Sequence, residues 1–256
     1  MYAKRQYDRK ADKDRIPPML YTFPGSGNTW SRLLIEYSTG IYTGSVYNDK
    51  SLRDVLPGEF SCDNTVVAIK VHPHTHPFAK MNNGTIQSDG QKCKKHRITR
   101  FEKAIFLMRD PFKAIWSEYQ RLWTKSHVGH IEVDNLNIRS WRDAAARLSH
   151  LYYTMLKVEY PSAERKLGTK NIVYSRYEDL IDERLRVQTL RNMLDGAGIK
   201  ITIPFENTEP NLETAQTERL NCAFTLAMKG RVKRKDAAAE SPVAPKPTHK
   251  RTPWTK

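Results

Sequence analysis

Apolar residues recur along this chain in two rhythms. Short, nearly unbroken apolar runs rich in β-favouring residues occupy 19–23, 66–71, 103–108 and 171–175. Such runs suit strands buried on both faces of a parallel sheet. Between them the spacing changes to three- and four-residue steps. Trp30, Leu33, Leu34 and Tyr37 form one helical stripe, and Ile115, Tyr119 and Leu122 form another after an Asp110-Pro111 start signal. Trp141, Ala145, Leu148, Tyr152 and Met155 mark one long helix over 140–160, and a further helix over 183–194 stops at Gly196. No internal repeat is present. Alternating strands and helices predict a three-layer α/β domain with a central, mainly parallel sheet.

The flanks break both rhythms. Residues 1–15 hold six Lys/Arg and three Asp and read as a charged flexible leader, punctuated by Pro17-Pro18. The predicted domain runs over 16–235, and 236–256 read as a disordered basic tail rich in Ala, Pro and Lys. The segment 81–100 is polar and without period, a loop of substrate-side or inserted character. Of the formal charge of +15, residues 1–15 carry +3 and 229–256 carry +7, leaving about +5 for the domain itself. A basic balance suits polyanions, nucleotides or anionic membranes and does not choose among them. No apolar run is long enough to span a bilayer, and the N-terminus lacks an apolar signal core. Cys62, Cys93 and Cys222 lack metal-ligand spacing; they read as structural or free thiols, and a Cys62–Cys93 bridge would require an oxidising compartment. Asn83-Gly84-Thr85 is a lone glycosylation sequon.

Three stretches carry candidate chemistry. "FPGSGNTW" joins the first strand to the first helix. Its glycines let backbone N–H groups converge on an anion, the helix start near Asn28 adds its dipole, and Ser26, Asn28 and Thr29 add hydrogen-bonding side chains. A nucleotide-binding loop of the ATPase type ends in Gly-Lys-Ser/Thr, whereas here the place reads Gly27-Asn28-Thr29. The missing lysine argues against triphosphate hydrolysis and against a P-loop kinase. In "KAIFLMRDPFKAIWSEYQR" a strand delivers Arg109 to its C-terminal end, with Ser117 two turns into the next helix. That pair could hold a second phosphate, or Arg109 could simply meet an acid. In "VVAIKVHPHTHP", Lys70 and His72 project to one side of an extended segment, which suits a general base beside an anion loop. His72, His74 and His76 also alternate as metal ligands would, but Pro73 and Pro77 break the strand and no acid or thiol completes a zinc set.

In this order the three stretches resemble the sulfotransferase family that uses 3′-phosphoadenosine-5′-phosphosulfate (PAPS), most of all the sulfotransferase-like domains of WSC-domain-containing proteins. The resemblance covers about 19–185 and implies a P-loop NTPase-like domain. It implies that Gly25, Ser26, Gly27, Asn28, Thr29 and Trp30 hold the 5′-phosphosulfate end, that Arg109 and Ser117 hold the 3′-phosphate, and that His72 is the catalytic base beside Lys70. It places Tyr177 at the adenine and Lys229, Gly230 and Arg231 in a loop closing over the 3′-phosphate. Many members carry a loop lysine at the position held here by Gly25. Another cation must then offset charge on the departing phosphate, with Lys70 the first choice and Arg32 the second.

The expected activity is sulfuryl transfer from PAPS to an acceptor hydroxyl on a glycan or similar polar molecule, without a metal. The acceptor would be set by 81–100 and 123–140. The family's glycan enzymes imply the Golgi lumen if the chain is an incomplete gene model, and the cytoplasm otherwise. Two other classes stay open: a non-catalytic nucleotide-binding domain, favoured by Gly25, and a basic nucleic-acid-binding protein, disfavoured because most excess charge sits in the flanks.

Overall fold

The computed structural model describes residues 5–47, 49–73, 101–125, 127 and 129–201 of the 256. Each of the four apolar runs contributes a strand: β1 (Met19–Thr22), β3 (Ile69–Val71), β4 (Ala104–Met108) and β5 (Ile172–Arg176). A fifth, β2 (Gly44–Ser45), has no apolar run to announce it. All pair in parallel, in the order β2-β3-β1-β4-β5. The pleat sends Met19, Tyr21, Ile69, Val71, Ala104 and Phe106 to one hydrophobic cluster, and Leu20, Ala68, Ile105 and Leu107 to another. Both faces are therefore core, which is why the runs are continuous rather than alternating.

Helix α1 (Asn28–Thr39) packs on the Leu20 side with α6 (Glu183–Gly196). On the Met19 side lie α2 (Pro111–Thr124), α3 (Ile138–Thr154) and α4 (Tyr160–Leu167), and a short α5 (Tyr177–Ile181) follows β5. The chain thus leaves β1 towards β3 and β2 by one face, and leaves β4 towards β5 by the other. Right-handed crossovers running in opposite directions require opposite faces, so the carboxyl ends of the neighbouring strands β1 and β4 frame a crevice. The loop after β1 carries Gly25 and the loop after β4 carries Arg109.

The long helix expected over 140–160 is interrupted. Met155–Glu159 form a π turn, closed by Tyr160 N–H bonding back to the Met155 carbonyl. Pro161 follows and has no N–H to give, so the ordinary ladder cannot run through this point. The wider turn brings Glu159 inside, 1% exposed, and burial pushes its carboxyl from 4.5 up to about 7. A raised carboxyl keeps its proton in the folded chain while the unfolded chain ionises, so stability falls as pH rises from about 4.5 to about 7. Glu159→Gln is therefore expected to gain about 1–2 kcal/mol, a few degrees in Tm, at about pH 8.5, and nothing at about pH 4. Thermal melts at the two pH values check this.

Residues 5–15, expected as a flexible leader, lie against the domain. Gln6 bridges Ile41, accepting from Tyr42 N–H at 2.9 Å and donating to Gly40 at 3.0 Å. Arg5 reaches Glu36 at 2.9 Å and lies over the Tyr37 ring, and Tyr7 donates to Pro57 at 2.9 Å. Arg15 donates to the carbonyls of Asn64 and Val66 at 2.5 and 2.8 Å. Two of the charges that suggested solvation, Arg5 and Arg15, are here the means of docking, while Arg9, Lys10, Asp12, Lys13 and Asp14 stay exposed. Cys62 is disulfide-bonded, not free, and the other two cysteines lie outside the described residues. So do the 81–100 segment, the tail, His74, His76 and Lys229–Arg231.

Candidate functional site

The glycine loop is built by contact. Gly25 and Gly27 both sit at left-handed φ, +83° and +82°. A Cβ at Gly25 would stand 2.4 Å from the Ala114 carbonyl oxygen and 3.2 Å from the Ser117 Cβ, so this glycine is where the loop presses on α2. A Cβ at Gly27 would meet the Tyr177 ring at 2.1 Å. Only glycine allows this turn and these two approaches together. The first rung of α1 is Ser31 N–H to the Gly27 carbonyl at 3.0 Å, so the N–H groups of 28–30 precede the helical ladder and point their dipoles out of its start.

Arg109 closes one side of the loop. Its Nη1 donates to the Gly25 carbonyl at 2.5 Å, its guanidinium lies 4.8 Å from the Tyr177 ring centroid, and its own carbonyl accepts from the Tyr152 hydroxyl at 2.6 Å. Asp110 caps α2 by accepting from Lys113 N–H at 2.9 Å, while its N–H donates to Glu178 at 2.9 Å. Gly25, Arg109, Ser117 and Tyr177 thus come together from four segments. Tyr177 is 6% exposed, its ring held between Gly27 and Arg109. Among the described residues, the buried Oγ of Ser26 and Nε of Arg109 have no hydrogen-bond partner. Unsatisfied buried donors at a helix start are where an anion would be held.

His72 sits across β1 from that pair. The register Leu20↔Lys70 and Tyr21↔Val71 brings Thr22 beside His72. Its Nδ1 lies 2.7 Å from the Thr22 carbonyl oxygen and 3.1 Å from Thr22 Oγ1. A carbonyl only accepts, so Nδ1 carries a hydrogen, and in the neutral ring Nε2 is then the basic nitrogen. Asn28 donates from Nδ2 to Thr22 Oγ1 at 3.1 Å, which ties the histidine to the start of α1. On the other side His72 N–H donates to the Tyr47 hydroxyl at 3.1 Å, and the two rings lie 5.4 Å apart.

The two candidate cations have other attachments. Arg32 is fully buried; it pairs with Glu59 and donates to Thr43 Oγ1 at 2.8 Å and to the Thr43 carbonyl at 3.1 Å. With these partners Arg32, the second choice for offsetting charge on the departing phosphate, is instead a structural cation. Lys70 Nζ lies 3.6 Å from Glu59 Oε1 and 5.4 Å from the Tyr47 ring centroid. Burial lowers its pKa, and Glu59 opposes that shift. Thr22, Tyr47 and Glu59 carry no site signal in the sequence, and Tyr152 figures there only in the apolar stripe of the long helix. The parallel pairing of β1 with β3 could have flagged Thr22; nothing local marked the rest. His127, within the 123–140 stretch, meets Asp49 at 2.9 Å, and that contact with the Ser51 bonds holds the Asp49 carboxyl well below its usual range. Among the described residues no group of three His, Cys, Asp or Glu is placed to hold a metal ion, and no helix is long and apolar enough to cross a membrane.

Fold and site together define an α/β domain with a parallel sheet, a glycine turn feeding a helix at its switch point, and a histidine of fixed tautomer beside it. The chain is similar over 197 residues, 32% identical, to the WSCD family member CG9164 of Drosophila melanogaster, covering 76% of this chain and 55% of that protein. It is 31% identical over 175 residues to the WSCD family member AAEL009094 of Aedes aegypti, 68% of this chain and 48% of the relative. It is also 37% identical over 116 residues to the WSCD family member GA21586 of Drosophila pseudoobscura pseudoobscura, 45% of this chain and 30% of the relative. The chain is thus similar to members of the WSCD family, and it spans about half the length or less of these curated relatives. No family model matches it.

Proposed function

We propose that this chain is a PAPS-dependent sulfotransferase domain of P-loop NTPase-like, three-layer build, acting on a hydroxyl of a glycan or similar polar acceptor. The observation that carries the reading is the meeting, at one crevice, of the Gly25–Trp30 turn, Arg109 and Ser117 against Gly25, and His72 fixed on Thr22. The residues present fit the cofactor: two glycine approaches, a helix start, and buried donors on Ser26 and Arg109. Gly25 to Trp30 would hold its 5′ end, and Arg109 with Ser117 its 3′-phosphate. When bound, PAPS supplies the sulfuryl group. Nε2 of His72 takes the proton of the acceptor hydroxyl, Nδ1–H stays on the Thr22 carbonyl, and the positive charge gained is held beside the Tyr47 ring. The bonded state of Cys62 favours an oxidising compartment, which of the two locations left open above is the Golgi lumen and not the cytoplasm.

Calorimetric titration with 3′-phosphoadenosine-5′-phosphate (PAP), the desulfated cofactor, beside ATP tests the cofactor class. PAP is expected to bind and ATP not, and Arg109→Ala should weaken PAP. His72→Ala should leave PAP binding intact while lowering turnover by about 10²–10⁴-fold. No PAP binding by the folded chain would overturn the reading. A second reading has its own support: Lys70 is engaged with Glu59, and among the described residues the cation bonded to the loop is Arg109. A domain that binds PAPS without transferring would show PAP affinity and no turnover with any acceptor.

A further inference from the structure

A buried row of alternating charges crosses the back of the site. Arg5 meets Glu36 at 2.9 Å, and Glu36 accepts from Thr43 Oγ1 at 2.6 Å. Thr43 accepts from Arg32 at 2.8 Å, Arg32 pairs with Glu59, and Glu59 reaches Lys70 at 3.6 Å. Glu36, Arg32 and Glu59 are fully buried and Lys70 is 7% exposed. The row ends at the lysine that neighbours His72 through Tyr47.

We infer that Glu59, fixed by Arg32, is a positioning residue that keeps Lys70 an ammonium ion and aims it at the Tyr47–His72 end of the crevice. A buried lysine without an acid loses its proton, because the charged form is the one penalised by loss of water. The groups facing Lys70 are Glu59 from the 57–60 turn, Arg32 from α1, Asp49 from the segment after β2, and Arg121 from α2. Burial, Arg32 and Arg121 disfavour the ammonium; Glu59 and Asp49 favour it. Asp49 is itself engaged with His127, and Arg121 with Glu118 at 2.5 Å, which leaves Glu59, among the described residues, as the acid within ion-pair distance of Nζ. One Glu59 oxygen serves Arg32 and the other faces Lys70, so the carboxylate is held in a single orientation. The consequence for catalysis rests on the sulfotransferase reading, whereas the state of Lys70 does not.

The test follows the Lys70 Cε resonance in ¹³C-lysine-labelled protein through a pH titration, with the signal assigned by its loss in Lys70→Arg. Glu59→Gln is expected to lower the Lys70 midpoint by about one unit or more, since an opposite charge at this range is worth about 1–3 units. Glu59→Asp keeps the charge but shortens the reach, and should give an intermediate midpoint. Should the glutamine variant fail to fold, the aspartate variant decides. A Lys70 midpoint unchanged in the folded variants overturns the inference. In parallel, the turnover of Glu59→Gln should regain ground as pH is lowered and Lys70 is reprotonated, with PAP affinity near wild type. Lowered midpoints in a protein that binds no PAP would keep this inference and remove the sulfotransferase reading.

Discussion

Arg32→Met is expected to cost about 3–5 kcal/mol, the range for removing one partner of a buried ion pair. Against a total stability of about 5–15 kcal/mol this is a large share, and a fall in Tm of roughly 6–20 °C follows. The cause is not the lost packing of one side chain. Arg32 lies between two buried carboxylates, bonded to Glu59 and, through Thr43, next to Glu36. Burial already raises the Glu36 pKa, and Arg32 is the largest influence opposing that rise. Without the guanidinium both acids are buried with too little positive charge, and they must take up protons or be exposed. The double variant Arg32→Met/Glu59→Met should recover much of the loss, because it removes the orphaned charge as well as its partner. Thermal melts of the single and double variants measure this, with PAP titration alongside. Unchanged melting with abolished PAP binding would return Arg32 to the binding site.

That position shows where sequence reasoning ran short. The stripe Trp30, Leu33, Leu34 and Tyr37 identified α1 correctly, and all four are buried. The opposite, polar side of such a helix is ordinarily solvated. Here Arg32, Glu36 and Thr39 are buried too, because residues 5–15 and the stretch from Gly40 to Phe60 cover that side. Arg32 and Glu59 are 27 positions apart, and no local period links them. The Gly25, Arg109 and Ser117 group was legible for the opposite reason. Each lies in a short strand–turn–helix motif, and the switch-point rule brings the ends of β1 and β4 together without knowledge of distant contacts. β2 escaped notice because two residues carry no pattern. It exists through pairing with β3 and through Gly44, where a Cβ would lie 2.1 Å from the Ser61 carbonyl oxygen. The π turn does have a sequence signal in Pro161, which cannot continue an ordinary ladder. The contact of the Tyr177 ring with the loop, at a site where glycine leaves room for it, has no local signal in the sequence.

The second large effect concerns the lysine that this loop lacks. On the proposed sulfotransferase reading, Gly25→Lys would introduce the residue that many members of that family carry, and it is expected to abolish PAP binding rather than improve transfer. The substitution meets two obstacles before its amine matters. The backbone at Gly25 is left-handed, a conformation that costs an L-residue about 1–2 kcal/mol. Its Cβ would enter the space of the Ala114 carbonyl at 2.4 Å and of the Glu118 N–H at 3.0 Å. Neither is the movable end of a side chain: both belong to the backbone of α2, which is anchored by its Asp110 cap and Pro111. The loop would have to lift off α2, and lifting it breaks the Arg109–Gly25 bond and separates Ser117 from the turn. Gly25→Ala should fail to nearly the same degree, because the obstacle is the Cβ and not the charge. Melts and PAP titrations of both variants separate the two causes. If alanine binds PAP as wild type does and lysine raises turnover, the loop can move from α2, and the missing lysine is a loss of function rather than a consequence of packing. If both variants lose PAP together, the glycine is the residue this loop was built around, and the cation for transfer has to be sought at Lys70.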